Sequence, residues 1–178
     1  FGMHLDMLKV PGCDASTGSL GHGLAIAAGL AIGARKAGKD WRTYVMLGDG
    51  ECCEGSVWEA AIIAGHHKLD NLTGFLDRNR LMIDGFTEEI TTLESLDEKF
   101  RAFGWNTIRI NGHDFAQIGD AIEAAHARKE KPTMIICDTI KGKCVDYMEN
   151  DYKWHYGGLD SDMRDKALAS IDRHYENV

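Results

Sequence analysis

Two short stretches of this chain carry residues suited to gripping a charged group: Gly48-Asp49-Gly50 and, thirty residues on, Asn79. Glycines on both sides of Asp49 let backbone N–H groups come close to a ligand, and the helix start just beyond favours an anion. A carboxylate facing an anion is repulsive by itself. At about 4 Å one unit-charge pair costs roughly 4 kcal/mol at an effective dielectric near 20, and a diphosphate multiplies that. A divalent cation placed between them reverses the sign. Asp and Asn oxygens are hard ligands, matched to Mg²⁺ or Ca²⁺ and not to zinc. The pair implies metal-bridged diphosphate binding; the plainer alternative is a strand–helix turn with Asp49 as an N-cap.

The surrounding sequence supplies elements that would bring the two stretches together. Tyr44–Leu47 is a brief apolar run ending at glycine, which reads as a buried strand, and a helical period follows from about Cys53 to Lys68. A second apolar run, Leu72–Leu76, ends at Asp77-Arg78-Asn79. In a parallel sheet both strand ends lie on one edge, so Asp49 and Asn79 should face a common crevice. Upstream, Thr17–Lys39 reads as a helix with an ST-type cap and apolar residues at Leu24, Ala27, Ala28, Ala31 and Ile32. Downstream come a loop over 84–95, a short helix Leu96–Phe103, a strand Trp105–Ile110, and a helix Phe115–Lys129 capped by Asp114. Ile118, Ile122 and Ala125 face inward on that helix, and Pro132 opens a strand over Thr133–Cys137. Residues 145–160 are aromatic and aperiodic, a loop able to close over a ligand, and Ser161–Tyr175 forms a last helix. The alternation predicts an α/β fold: one domain over 1–178, a doubly wound, mostly parallel sheet with helices on both faces.

Composition sets the outer limits. A chain of 178 residues can bury about 70% of its unfolded surface. A net charge of −8 without a basic cluster argues against a nucleic-acid partner, and no apolar run is long enough to span a membrane. The chain opens on Phe1 without an initiator Met, as though cut into a longer polypeptide. Cys13, Cys52, Cys53, Cys137 and Cys144 form no C-x-x-C, and their odd number fits a reduced, cytoplasmic protein. Cys52 and Cys53 read as small packing residues at the helix start. His66 and His67, being adjacent, point apart on a helix and make no metal pair.

The motifs resemble those of thiamine diphosphate enzymes, in which GDG is followed about thirty residues later by Asn. The finer similarity is to transketolases, carried by TGSLGHG at 17–23, GDGECCEGSVWE at 48–59, DRNRLMIDG at 77–85 and TIKGKC at 139–144. That resemblance implies thiamine diphosphate and Mg²⁺ (or Ca²⁺) as cofactors, with Asp49, Asn79 and the Leu81 carbonyl on the metal. Gly18, Ser19 and Leu20 would cup the aminopyrimidine; Gly48, Gly50, Glu51, Lys141 and His155 would complete the cofactor site. His155, in the segment Trp154-His155, and His4, ahead of Pro11-Gly12, would handle protons of the sugar hydroxyls. Glu54 and Glu59 would join an acid network at a subunit interface. Departures fall at Met3 and Leu5 around His4, at His22, at Cys144, and at Tyr156, which intervenes before Gly157. They suggest an altered substrate pocket.

The resemblance also implies what this chain lacks. In the family the glutamate that activates the cofactor lies in a pyrimidine-binding domain, and nothing after Lys143 is long enough to be one. The expectation is a split enzyme. This chain would hold the diphosphate, a C-terminal subunit would bring the pyrimidine domain, and an α2β2 assembly would move a two-carbon ketol unit from a ketose, as its phosphate ester, to an aldose. Two alternatives stay open: a component of a 2-oxo acid dehydrogenase or decarboxylase, and a non-catalytic relative that keeps the fold.

Overall fold

A computed structural model describes Gly2 and residues 4–176. Its centre is a four-stranded parallel sheet in the order β1-β2-β4-β3, built from β1 (Thr43–Gly48), β2 (Leu72–Arg78), β3 (Asn106–Asn111) and β4 (Thr133–Asp138). Register decides where the chemistry falls. Gly48 pairs with Asp77, Arg78 with Asp138, and Asn111 with Asp138, so all four strands end level on one edge. The crevice beyond that edge receives the loops after β1, β2, β3 and β4, as the sequence predicts.

The helices α1 (His22–Lys36), α2 (Gly55–His66) and α4 (Leu96–Ala102) share one face of the sheet with Leu47, Leu72, Leu76, Met134 and Ile136. Small residues set their spacing. Leu24, Ala27, Ala28, Ala31 and Ala34 of α1 are buried, as are Val57, Ala60, Ala61 and Ala64 of α2. Both rows follow the helical period, and alanines let the two backbones approach. The indole of Trp105, buried beneath them, donates to the Ala61 carbonyl at 2.9 Å and meets Phe100 edge-on.

On the opposite face α5 (Phe115–Ala127) packs Ala121, Ile118 and Ile122 on Ile108, Ile110, Ile135 and Cys137. Asp114 caps it by accepting from Ala116 and Gln117 N–H, as expected. That cover stops short of β1. Tyr44 and Met46 stay 47% and 71% exposed, so helices on both faces describe β3 and β4 but not the β1 flank. Tyr44 leans across to α5, its hydroxyl 2.5 Å from His126 Nε2.

Four boundaries differ from the sequence reading. α1 starts at His22, five residues late and without a side-chain cap, because Gly21 (φ 81°) turns the chain. The Asp49 side chain initiates a 3₁₀ turn, Gly50–Cys53, before α2 opens at Gly55. The 84–95 loop holds one helical turn, α3 (Thr87–Ile90). Residues 145–160 are not an open loop. They fold around a 3₁₀ turn, Tyr152–His155, with Trp154 Nε1 donating to the Tyr147 carbonyl at 2.8 Å. The Tyr147 hydroxyl then reaches Met163 O in α6 (Ser161–Tyr175) at 2.7 Å. Aromatic anchoring replaces the period that a helix or strand would show.

The closest helix–loop approach sits at Gly65, where an added Cβ would lie 1.8 Å from the Phe103 carbonyl oxygen. Gly65→Ala must push α2 off the 103–104 turn, and overpacking of that kind costs about 2–3 kcal/mol. Urea unfolding should show a correspondingly lower midpoint with an unchanged slope.

Candidate active site

Asp49 is 1% exposed and heavily engaged. Oδ1 accepts from its neighbour Gly50 N–H at 2.7 Å. Oδ2 accepts from Arg78 Nη1 at 2.8 Å and from Arg80 N–H at 2.6 Å. Its own N–H donates to Asp77 O at 3.1 Å, which stitches the end of β1 to the end of β2. Asn79 stands beside it. Its Oδ1 accepts from Leu81 N–H at 2.9 Å and its Nδ2 donates to Asp77 Oδ2 at 2.8 Å. The other Asp77 oxygen accepts from the Thr139 hydroxyl at the end of β4.

These bonds show whether a cation fits. A carboxylate offers about four acceptor positions and an amide oxygen two. Three positions of Asp49 are filled, the open one on Oδ1, and one of Asn79 Oδ1 is filled. One hard oxygen position therefore remains on each. The turn after Leu81 closes through Arg80 O (to Thr87 N–H) and Gly85 O (to Met82 N–H) and does not use the Leu81 carbonyl. Among the described residues no cluster of three His, Cys, Asp or Glu could hold a metal. A cation here would take two side chains and backbone, with the ligand's own oxygens completing the shell, which suits Mg²⁺ or Ca²⁺.

Glu51 joins the two glycine loops. Its Oε1 accepts from Gly21 N–H at 2.8 Å and its Oε2 from Gly48 N–H at 3.2 Å. The carboxylate is thus engaged with protein backbone and holds the two glycine loops together. Gly21 is pinned further by Ser56 Oγ, which donates to its carbonyl at 3.1 Å; a Cβ there would lie 2.3 Å from that oxygen. His4 lies on the same loop, its ring so close that a Cβ on Gly18 would come within 2.9 Å. The structure thus gathers Asp49, Asn79, Leu81, Gly48, Gly50, Glu51, Gly18 and His4 around one edge. Met3 lies outside the described residues.

Other expected site residues sit less centrally. Ser19 and Leu20 are exposed on the same loop. Glu54 and Glu59 are exposed as well. Lys141 is half-buried in the turn after β4, where its carbonyl accepts from Asn150 N–H at 3.0 Å. His155 is exposed, with its ring against Tyr156.

Sequence reasoning missed Arg78 and His113. Arg78 is 1% exposed and pairs with Asp49, Glu88 and Glu94. His113 Nε2 accepts from Ile140 N–H at 2.8 Å and lines a cleft of about 680 Å³ shared with Asn79, Arg80, Phe86, Thr139 and Asn150. The sequence does hold a signal for Arg78: a charge at a buried strand end, followed by acidic residues 88, 89 and 94.

Known proteins share this fold. The profile described as "Transketolase, thiamine diphosphate binding domain" matches residues 2–171. The chain belongs to the transketolase thiamine diphosphate-binding domain family. It is 40% identical to an apulose-4-phosphate transketolase subunit from Phocaeicola vulgatus, over 96% of this chain and 61% of the relative. Identity to the 6-deoxy-6-sulfo-D-fructose transketolase subunit SqwG of a Clostridium species is 41%, over 96% and 62%. The chain thus spans about three-fifths of the length of these curated relatives. Among solved structures, transketolase from Campylobacter jejuni superposes with a TM-score of 0.85 at 34% identity, covering 90% of this chain and 26% of that one. Transketolase from Pichia stipitis with sedoheptulose 7-phosphate gives 0.85 at 31%, covering 93% and 26%.

The cysteines beside this transketolase-family site differ. Burial, then the charges of Glu51 and Asp49, pushes the Cys52 thiol up to about 12, and burial lifts Cys137 to about 11. Cys53 is exposed, correcting its reading as a packing residue, and is also raised, by partial desolvation and then by Glu54 and Asp49. A raised folded pKa means stability that is complete below the ordinary value of 9.0 and is lost as pH rises toward about 12. Cys52→Ala should flatten the fall in unfolding free energy above about pH 9. Native-state alkylation near pH 8, read by mass spectrometry, should mark Cys53 and spare Cys52 and Cys137.

Proposed function

We propose that this chain is the diphosphate-holding subunit of a transketolase, moving a two-carbon ketol unit from a ketose to an aldose with Mg²⁺ and thiamine diphosphate. The observation that carries the reading is the single open acceptor position left on Asp49 Oδ1 and on Asn79 Oδ1, which follow the paired ends of β1 and β2. Bound thiamine diphosphate would supply the electron sink for breaking and remaking the ketose carbon–carbon bond. Everything else falls to the protein. Asp49, Asn79 and the Leu81 carbonyl would hold the cation, which removes the repulsion between Asp49 and the diphosphate. Gly48 and Gly50 admit that diphosphate close to backbone, and Lys141 would balance its remaining charge. Leu20, 58% exposed, offers apolar surface to the cofactor ring. His4 and His155 would take and return hydroxyl protons of the sugar.

The relatives are named as subunits, which supports a second chain carrying the pyrimidine-binding domain in an α2β2 assembly. They are named for apulose-4-phosphate and for 6-deoxy-6-sulfo-D-fructose, and the departures at Leu5 and Tyr156 support a ketose outside the common set here as well. Five cysteines without a disulfide, and no described helix able to cross a membrane, fit a cytoplasmic place.

Calorimetric titration of the assembly, purified from its own host through a tag on this chain, should show thiamine diphosphate uptake that requires Mg²⁺. Asp49→Ala and Asn79→Ala should each weaken it by about a hundredfold, roughly 2.7 kcal/mol. No uptake by the intact assembly, or uptake indifferent to both substitutions, overturns the reading.

A further inference from the structure

Among the described residues Arg78 is the one fully buried cation at this edge, and its presence needs a reason. It sits against the carboxylate proposed to hold Mg²⁺, so by charge alone it opposes the ion. Its geometry points elsewhere. Nη1 donates to Asp49 Oδ2 and to Thr87 Oγ1, both at 2.8 Å. Nη2 donates to Glu88 Oε1 at 2.9 Å and Nε to Glu94 Oε1 at 3.0 Å. Every nitrogen of the fork is engaged, by residues from two segments far apart in sequence.

Those partners are themselves held. Glu88 accepts from Leu93 N–H and Glu94 from Leu96 N–H, each at 3.3 Å. Arg109 of β3 approaches Glu94 at 3.4 Å and Asp97 at 2.9 Å. The guanidinium is therefore anchored on three sides by 87–96, and its remaining contact fixes Asp49. A buried carboxylate needs fixed donors before any ion arrives, or it would be free to turn away, and Arg78 supplies one of them to Oδ2. Holding Oδ2 also leaves Oδ1 as the oxygen with an open position. Lysine could supply the charge but not four contacts in a plane.

We infer that Arg78 is a positioning residue for the cation site, clamped by Thr87, Glu88 and Glu94 so that Asp49 is held in one orientation before the cofactor is loaded. The inference rests on the proposal that Asp49 binds the ion. It makes a claim opposite to simple electrostatics: removing the positive charge weakens Mg²⁺ binding, because orientation outweighs repulsion.

The test uses the host-purified assembly carrying Arg78→Lys, Arg78→Met or Glu94→Gln, each checked for native fold by circular dichroism. Two constants are read by calorimetry: that for Mg²⁺ at saturating thiamine diphosphate, and that for thiamine diphosphate at saturating Mg²⁺. Arg78→Lys and Arg78→Met should raise the Mg²⁺ constant about tenfold or more and leave the thiamine diphosphate constant within about threefold. Glu94→Gln, which does not touch Asp49, should raise the Mg²⁺ constant about threefold and carries the test should both Arg78 variants fail to fold. Unchanged or tighter Mg²⁺ binding in the folded variants overturns the inference, as does equal weakening of both constants, which marks a merely structural residue. A wild-type assembly that takes up neither ligand overturns the cation-site reading itself, a result distinct from either.

Discussion

A buried carboxylate that must be held in one orientation governs this structure. Asp49 is 1% exposed, and leaving the oxygens of a group so placed without partners would be costly. Three donors prevent that: one from the turn it begins, one from the backbone of Arg80, and one from the Arg78 guanidinium. Each comes from a different requirement of the fold. The turn donor needs the 3₁₀ turn that begins at Asp49, the Arg80 donor needs β1 and β2 to end level, and the guanidinium needs the 87–96 segment folded down onto the sheet edge.

The surrounding loops follow from the same demand. Arg80 takes up a positive φ of 64°, which aims its N–H at Asp49 and opens the tight turn through Gly85. Glu51 pulls the loop before α1 against the end of β1, so the two glycine stretches, about thirty residues apart, move as one body. Close packing of α1 on α2 through alanine makes that possible, since Gly21 touches Ser56 only if the helices nearly meet. A site on short loops is thereby given the rigidity of the layer beneath it.

Much of this is legible in the sequence, and the residues show why. Strands 72–76 and 133–137 stand out as short apolar runs because these parallel strands are buried on both faces, and 44–47 is as apolar although one of its faces is bare; in the structure all three extend by one or two residues at their ends. Asp114 announces its helix through its cap. Asp49 and Asn79 can be paired because topology alone brings the strand ends together. What escapes depends on contacts that no local pattern encodes. Glu51 follows GDG and by that position is read with the cofactor, and nothing local announces that its carboxylate also holds Gly21 and Gly48 N–H. Arg78 hides between two chemically louder neighbours, although alternation along a strand puts it on the opposite side from both. The start of α1 is misplaced by its Thr17 cap because Gly18 and Gly21 curl the chain against α2, a tertiary preference that outweighs the local one.

The bare flank of β1 carries a consequence for any thermodynamic study. Parallel sheets are ordinarily covered on both sides, yet Tyr44 and Met46 lie in water. Apolar surface left uncovered forgoes about 25 cal/mol for each Å² that a neighbour would shield. Whatever shields it, another copy included, binds the native form and not the denatured one. A melting temperature taken on this polypeptide therefore belongs to a stated concentration and a stated set of companions, and two laboratories that differ in either are measuring different equilibria.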